Sequence, residues 1–165
     1  MQRPRLLLMA DVQESHERFL RRAVEHRSVW TLWGHCGPLI VESNFDPDDP
    51  DKEAGNDPLV APRDVYLFFS DDAYARRVLR ESWPDAPTYS TRSISLFDFL
   101  CWWLPGLHRD RHLAGTNWTG DLIGLEVEPE DLKAQLLDRC PRDFLVKFLD
   151  QIQAIRESEK NRQDG

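Results

Sequence analysis

Two histidines, His108 and His112, stand four residues apart with Asp110 between them. On a continuous helix that spacing would turn two imidazoles to one face, as a divalent cation requires. Pro105-Gly106 just upstream argues against continued helix, and no third ligand accompanies the pair, so the simpler reading is a charged loop, His108-Arg109-Asp110-Arg111-His112. A second cluster, Asp46, Asp48, Asp49 and Asp51, offers oxygens to a hard cation. An EF-hand loop needs a glycine at its sixth position and a bidentate glutamate at its twelfth. Counted from Asp46, those positions hold Asp51 and Asp57, and Pro47 and Pro50 stiffen the interior. Asp98, Glu126 and Glu128 could compose a carboxylate pair for acid–base work, although Asp98 is as well explained as an acid early in a helix. His16, His26 and His35 are isolated and read as exposed or turn positions.

Nucleophile and phosphate motifs are missing. The chain has no Gly-x-Ser-x-Gly elbow and no glycine-rich phosphate loop. Cys36, Cys101 and Cys140 are an odd number, widely spaced, without a Cys-x-x-Cys pair, which suits a reducing, cytoplasmic compartment. Cys101 lies in the apolar run Phe99-Leu100-Cys101-Trp102-Trp103 and reads as a small hydrophobe. No catalytic residue, cofactor or metal is expected.

The 165 residues suit one domain, and 41% hydrophobic with 30% charged residues makes it globular. No apolar run approaches the roughly 20 residues that span a bilayer. Arg3 and Arg5 precede Leu6-Leu7-Leu8-Met9-Ala10, but Asp11 ends that stretch short of a signal sequence, and either Met1 or Met9 could be the natural start. The formal charge of −8 is concentrated: residues 42–57 hold seven acids against Lys52 alone, a net −6. Nucleic acid is therefore disfavoured, since phosphate neutralisation needs clustered Lys and Arg.

The elements that must position these groups follow from periodicity. Residues 1–14 read as an extension, 15–140 as the core domain, and 141–165 as an amphipathic helix with a charged tail. Helical spacing of Phe19, Leu20, Ala23 and Val24 predicts a helix from about Ser15. Val29–Trp33 and Leu39–Val41 predict strands about a glycine turn, flanked by Trp33 and Leu39. Val65–Phe69 predicts a strand ending at Ser70-Asp71-Asp72, where a side-chain oxygen can cap the next helix. Tyr89–Ser95 predicts another strand, and Ser95 a cap for a helix over Leu96–Leu104, stopped by Pro105-Gly106. Two runs around Thr119-Gly120-Asp121 predict a hairpin, with Gly115 and Gly124 as sites of bulge or close packing. Pro129 opens a further helix, and after Pro141 the residues Phe144, Leu145, Phe148, Leu149, Ile152 and Ile155 form one apolar stripe. Strands and helices intermix without βαβ runs, which predicts an α+β domain with a mostly antiparallel or mixed sheet and helices packed on it.

Several blocks resemble a bacterial family catalogued as domain of unknown function 2750. They are Val29-Trp30-Thr31-Leu32, Ser70-Asp71-Asp72-Ala73-Tyr74-Ala75, Ser93–Leu100, Trp103-Leu104-Pro105-Gly106-Leu107, and Leu125–Pro129 with Asp131-Leu132. The resemblance implies a fold and a bacterial origin, and no activity, the family having no assigned catalytic residues to carry over. The acidic stretch and the helix after Pro141 depart from its pattern.

The expected function is a non-catalytic protein-interaction module of immunity or adaptor type. Asp48, Asp49, Asp51 and Glu53 would dock a basic partner such as a toxin. Trp102 and Trp103 are candidate interface residues, because adjacent tryptophans on a helix cannot both face one core. The protein would be a monomer, or a weak dimer through its C-terminal helix. The alternative is a small enzyme or ligand-binding protein whose pocket forms only in three dimensions.

Overall fold

The computed structural model describes residues 5–43 and 63–163. The expected acidic docking residues Asp48, Asp49, Asp51 and Glu53 lie outside the described residues. The first helix, α1 (Arg5–His26), begins ten residues before the expected start. It delivers the chain to β1 (Ser28–Gly34), β2 (Gly37–Pro38) and β3 (Ile40–Glu42). Next come β4 (Asp64–Phe69), α2 (Asp72–Ser82) and β5 (Ser90–Ser95). A composite helix then joins α3 (Leu96–Asp98), a π-helical turn (Phe99–Trp103) and α4 (Leu104–Arg109). The chain continues through β6 (Leu113–Thr116), β7 (Leu125–Val127), α5 (Pro129–Arg139) and α6 (Arg142–Gln163).

The strands make one mixed sheet, antiparallel except for the parallel pair β4 and β6, so the expected α+β class holds. Pairing registers show how it is assembled. Along its whole length β1 gives one edge to β5, from Ser28 opposite Ser95 to Trp33 opposite Ser90. Its other edge meets β4 only at Trp30 and Thr31, and β2 at Trp33 and Gly34. In turn β4 gives one edge to β6, and on the other pairs with β3 near its start and β1 near its end. Strands β1 and β4 therefore diverge, and β2 with β3 fills the opening as a wedge. The hairpin turn is tighter than expected: Pro38, not Leu39, stands opposite Trp33, and Gly37 takes a φ of 131° that favours glycine.

Alternation along β4 assigns the two cores. Val65, Leu67 and Phe69 face α2 with Leu32, Val78 and Trp118, while Phe68 faces Phe19, Phe99, Leu104 and Leu136 under the other helices. Local chemistry starts the helices as expected. Asp71 caps α2 by accepting from the Tyr74 amide, and Ser95 caps α3 by accepting from that of Asp98.

The composite helix corrects one expectation. Pro105 and Gly106 do not end it, and helix continues to Arg109. Proline inside an α-helix removes one hydrogen bond and presses its ring on the carbonyl four residues back. Here the Leu104 amide bonds to Phe99 O, five residues back, so the π turn widens the backbone immediately before the proline. Trp103 turns inward onto Phe68, with ring centroids 5.9 Å apart, and Trp102 is 52% exposed.

Trp118, 1% exposed, lies between the two glycines of the β6–β7 hairpin and donates through Nε1 to Leu125 O. A Cβ on Gly115 would stand 2.6 Å from Trp118 Nε1, and one on Gly124 would stand 2.1 Å from Cδ1. Close packing, not a bulge, explains both glycines. Gly124→Ala should therefore cost about 1–3 kcal/mol by overpacking, read as a lower urea midpoint. In contrast, Gly106→Ala meets nothing within 4 Å in a helix and should gain about 0.5–1 kcal/mol from helix propensity.

Candidate functional site

At the carboxyl ends of the parallel strands β4 and β6, the chain leaves as Ser70-Asp71 and as Thr116-Asn117. In open α/β sheets, ligands bind outside such carboxyl ends of parallel strands. Asn117 adopts a φ of 47°, in the left-handed region that asparagine tolerates. In that conformation its backbone amide donates to Phe68 O and its side-chain oxygen accepts from the Ser70 amide, both at 2.9 Å. Its side-chain nitrogen donates to Ser15 O of α1 and to Ser70 Oγ. The Asn117 carbonyl accepts from the Tyr74 hydroxyl of α2 at 3.0 Å. One buried residue thus ties both strand ends to both flanking helices.

His16 extends the network. It is 3% exposed, with Nδ1 2.8 Å from the Thr116 hydroxyl and Nε2 2.8 Å from Gln135 Oε1 of α5. With Gln135 Oε1 as the acceptor, Nε2 donates, and Nδ1 meets the Thr116 hydroxyl, which can donate or accept. The expectation of an exposed His16 is therefore corrected. Because α1 starts at Arg5, His16 sits one turn before Phe19 and Leu20 on the buried face of the helix. That spacing was the available signal.

Above this floor lies a cavity of about 240 Å³, lined by Arg18 and Arg22 of α1 and by Asp71, Ala73, Tyr74 and Arg77 at the start of α2. Arg77 holds its guanidinium 4.7 Å from the centre of the Tyr74 ring. Arg22 lies 3.8 Å from Asp71, whose other interactions cap α2 and receive the Ser70 hydroxyl. Burial pushes the Tyr74 phenol above its ordinary pKa, against the opposing pull of Arg77 and Arg18. These arginines escaped sequence reasoning because 45 residues, Arg27 to Asp71, separate α1 from α2, which come near each other only in the folded chain.

The structure does not assemble the other candidates. His108 ends on the exposed surface of α4, while His112 follows the helix, packs at 5.2 Å on Tyr66 and lies 3.9 Å from Asp64. Among the described residues, no group of three His, Cys, Asp or Glu could hold a metal ion. Glu126 accepts from the Ser43 hydroxyl, and Glu128 is engaged by Arg63, which holds its carboxyl below the ordinary range. Asp98 is exposed in the first turn of α3. Burial raises the thiols of Cys101 and Cys140, as suits inert cysteines. Trp102 and Trp103 line a shallow apolar hollow with Gly106 and Leu107. Among the described residues, no helix is long and apolar enough to cross a membrane.

A mixed sheet covered by helices on both faces, with a polar knot at its parallel strand ends, defines an α+β domain. Residues 16–136 match the model of a family described as a protein of unknown function (DUF2750), and the chain belongs to that family. No curated protein and no solved structure matches it. The matched region ends before α6.

The knot has a measurable weight. His16→Leu keeps an apolar filler but leaves the buried Thr116 hydroxyl without its partner, and should lower stability by about 1–3 kcal/mol. Chemical denaturation would read it, and a variant as stable as the wild type would mean that the network is incidental to folding.

Proposed function

We propose that the protein is a cytoplasmic, non-catalytic protein-interaction module of immunity or adaptor type, and that α6 is its principal binding element. A single observation supports this: the apolar arc of α6 is wider than its seat on the domain. At about 100° per residue, Phe144, Ile155 and Phe148 share one side, Ile152 and Leu145 follow, and Leu149 and Val146 lie farthest round. Burial falls off round this arc, with Ile155 half-buried near the chain end of the helix. Phe144 and Phe148 are buried, Leu145 and Ile152 half-buried, and Val146 and Leu149 are 50% and 62% exposed.

The seat is local. Phe148 packs on Phe97 with ring centroids 5.6 Å apart. Arg27 pairs with Asp143 at 3.0 Å and covers the Phe144 ring. Beside it runs a groove of about 320 Å³ bounded by Arg27, Lys147, Asp150 and Gln151. From Gln153 to Gln163 every residue but Ile155 is exposed. Contiguous apolar surface with a polar rim is the usual mark of a protein contact, and the half-exposed Trp102 belongs to a helix whose Phe99, Leu100 and Leu104 share the core of Phe144 and Phe148. The net −6 of residues 42–57 would steer a basic partner toward the domain.

The test uses Val146→Asp together with Leu149→Asp. Both positions are exposed, so stability should stay within about 0.5 kcal/mol of the wild type. A partner recovered with the wild-type chain, and rebuilt from two purified proteins, should bind the double variant at least tenfold more weakly. Equal binding by the variant would place the contact elsewhere and overturn this reading. So would a wild-type chain that light scattering shows to be a dimer, with the variant a monomer, because α6 would then serve self-association.

A further inference from the structure

We infer that the cavity between α1 and α2 is a binding site for a small phosphate-bearing molecule, a role independent of α6. Three arginines from two helices line a cavity of about 240 Å³, in the company of one carboxylate. In a chain of net charge −8, three arginines against one carboxylate make a local positive field that attracts an anion. Arg18 and Arg22 are one helical turn apart and so project from one face of α1. Arg77 comes from α2 and is held against Tyr74.

The lone carboxylate does not cancel them. Asp71 Oδ1 accepts from the Tyr74 amide and Oδ2 from the Ser70 hydroxyl, and only Arg22 is near it, at 3.8 Å. Asp72, its neighbour, is turned away to Arg76 and Thr91. Arg18 and Arg77 have no carboxylate within ion-pair reach among the described residues.

The chemistry of the donors selects the ligand. Guanidinium presents a planar fork of N–H groups that matches two oxygens of one phosphate. Capping of α2 satisfies the Tyr74 amide, and Ala73 of the same first turn lines the cavity wall. The volume falls below the roughly 300 Å³ where pockets for drug-sized ligands begin, which suits a phosphate on a small organic group. A polyanion is disfavoured by the same charge count: a nucleic acid would meet the whole acidic molecule, whereas a compact dianion meets the local field.

The floor keeps the site in shape. Tyr74 is held by its bond to the Asn117 carbonyl, and Ser70 and Asp71 by the Asn117 side chain and the α2 cap. The arginines therefore stand on walls that are fixed before any ligand arrives.

Inorganic phosphate and pyrophosphate are the probes, titrated by calorimetry into the full chain, with sodium chloride at matched ionic strength as the control. Binding in the millimolar range or tighter is expected. Arg18→Gln and Arg77→Gln, both exposed, should each weaken it about tenfold, the loss of one charge-assisted bond at about 1.4 kcal/mol. Asp71→Asn keeps a good helix cap but removes the carboxylate, so it should tighten binding several-fold. No heat with either probe, or binding indifferent to Arg18 and Arg77, would overturn the inference. A short single-stranded DNA that bound more tightly than pyrophosphate through the same arginines would also overturn it, in favour of a nucleic-acid surface.

Discussion

Asn117 is the residue on which the arrangement of this fold turns. A parallel pair such as β4 and β6 cannot be closed by a hairpin, and its two carboxyl ends must be held together by something other than a turn. Here the Asn117 amide continues the ladder to Phe68 O, and its side chain then takes over from the backbone, receiving the Ser70 amide and donating toward α1. Every polar atom of the residue is used. Leaving any of those buried partners unpaired would cost more than the bond itself contributes, so the position is restrictive in a way that no apolar residue could be. A left-handed backbone adds a second restriction, which glycine would also meet but without the side chain.

The wedge of β2 and β3 depends on this closure. Strands β1 and β4 meet directly only at Trp30–Thr31 and Phe68–Phe69, next to the knot, and separate toward its far end. Thr31 reinforces the junction by donating from its buried hydroxyl to Leu67 O at 3.0 Å. Beyond it the unpaired edges would face each other across a gap, and the short hairpin supplies their partners: Gly37 and Pro38 to β1, then Ile40 to Glu42 to β4. Proline can stand in that strand because its ends are only partly paired.

What could be read in the sequence was what neighbours in the chain decide. Asp71 and Ser95 announce helix starts through a side chain that reaches three residues ahead, and Pro129 does so through its own ring. The alternation Val65-Leu67-Phe69 against Phe68 is likewise local, as is the outward turn of one of two adjacent tryptophans. Features that depend on distant segments were not legible. Pro105 reads as a stop until the π turn before it is seen, and a π turn has no sequence signature that rivals proline's. His16 looked isolated because its partners, Thr116 and Gln135, are 100 and 119 residues away. Arg18, Arg22 and Arg77 looked like ordinary solvent-facing charges of two amphipathic helices, and only the approach of α1 and α2 at the carboxyl ends of β4 and β6 makes them a group. Fold class survives such omissions, since it rests on many local signals. A site does not, because it is made of the few long-range ones.

The two proposed sites fall at different places in one small domain. The acidic segment joins Ser43 to Arg63, and so attaches where β4 begins, whereas the arginine cavity lies where β4 ends. Six residues of strand, at about 3.3 Å each, separate the two points by roughly 20 Å. At physiological salt a surface field decays over about 8 Å, so charges at the start of β4 act only weakly on the cavity at its end. The seat of α6 involves neither: it uses Arg27 and Asp143, with Phe97, Phe144 and Phe148, on the helical layer away from α2. A partner gripping α6 would leave the cavity open, and an anion in the cavity would leave α6 free. Coupling between them would have to pass through α1, which carries Arg18 and Arg22 on one side and ends beside Arg27, the residue that clamps α6. That helix is held at its middle by Ser15 and His16 on the knot. Any shift of α1 would therefore require the same buried bonds to break that close the sheet, and the two surfaces are best understood as independent positions on one rigid body.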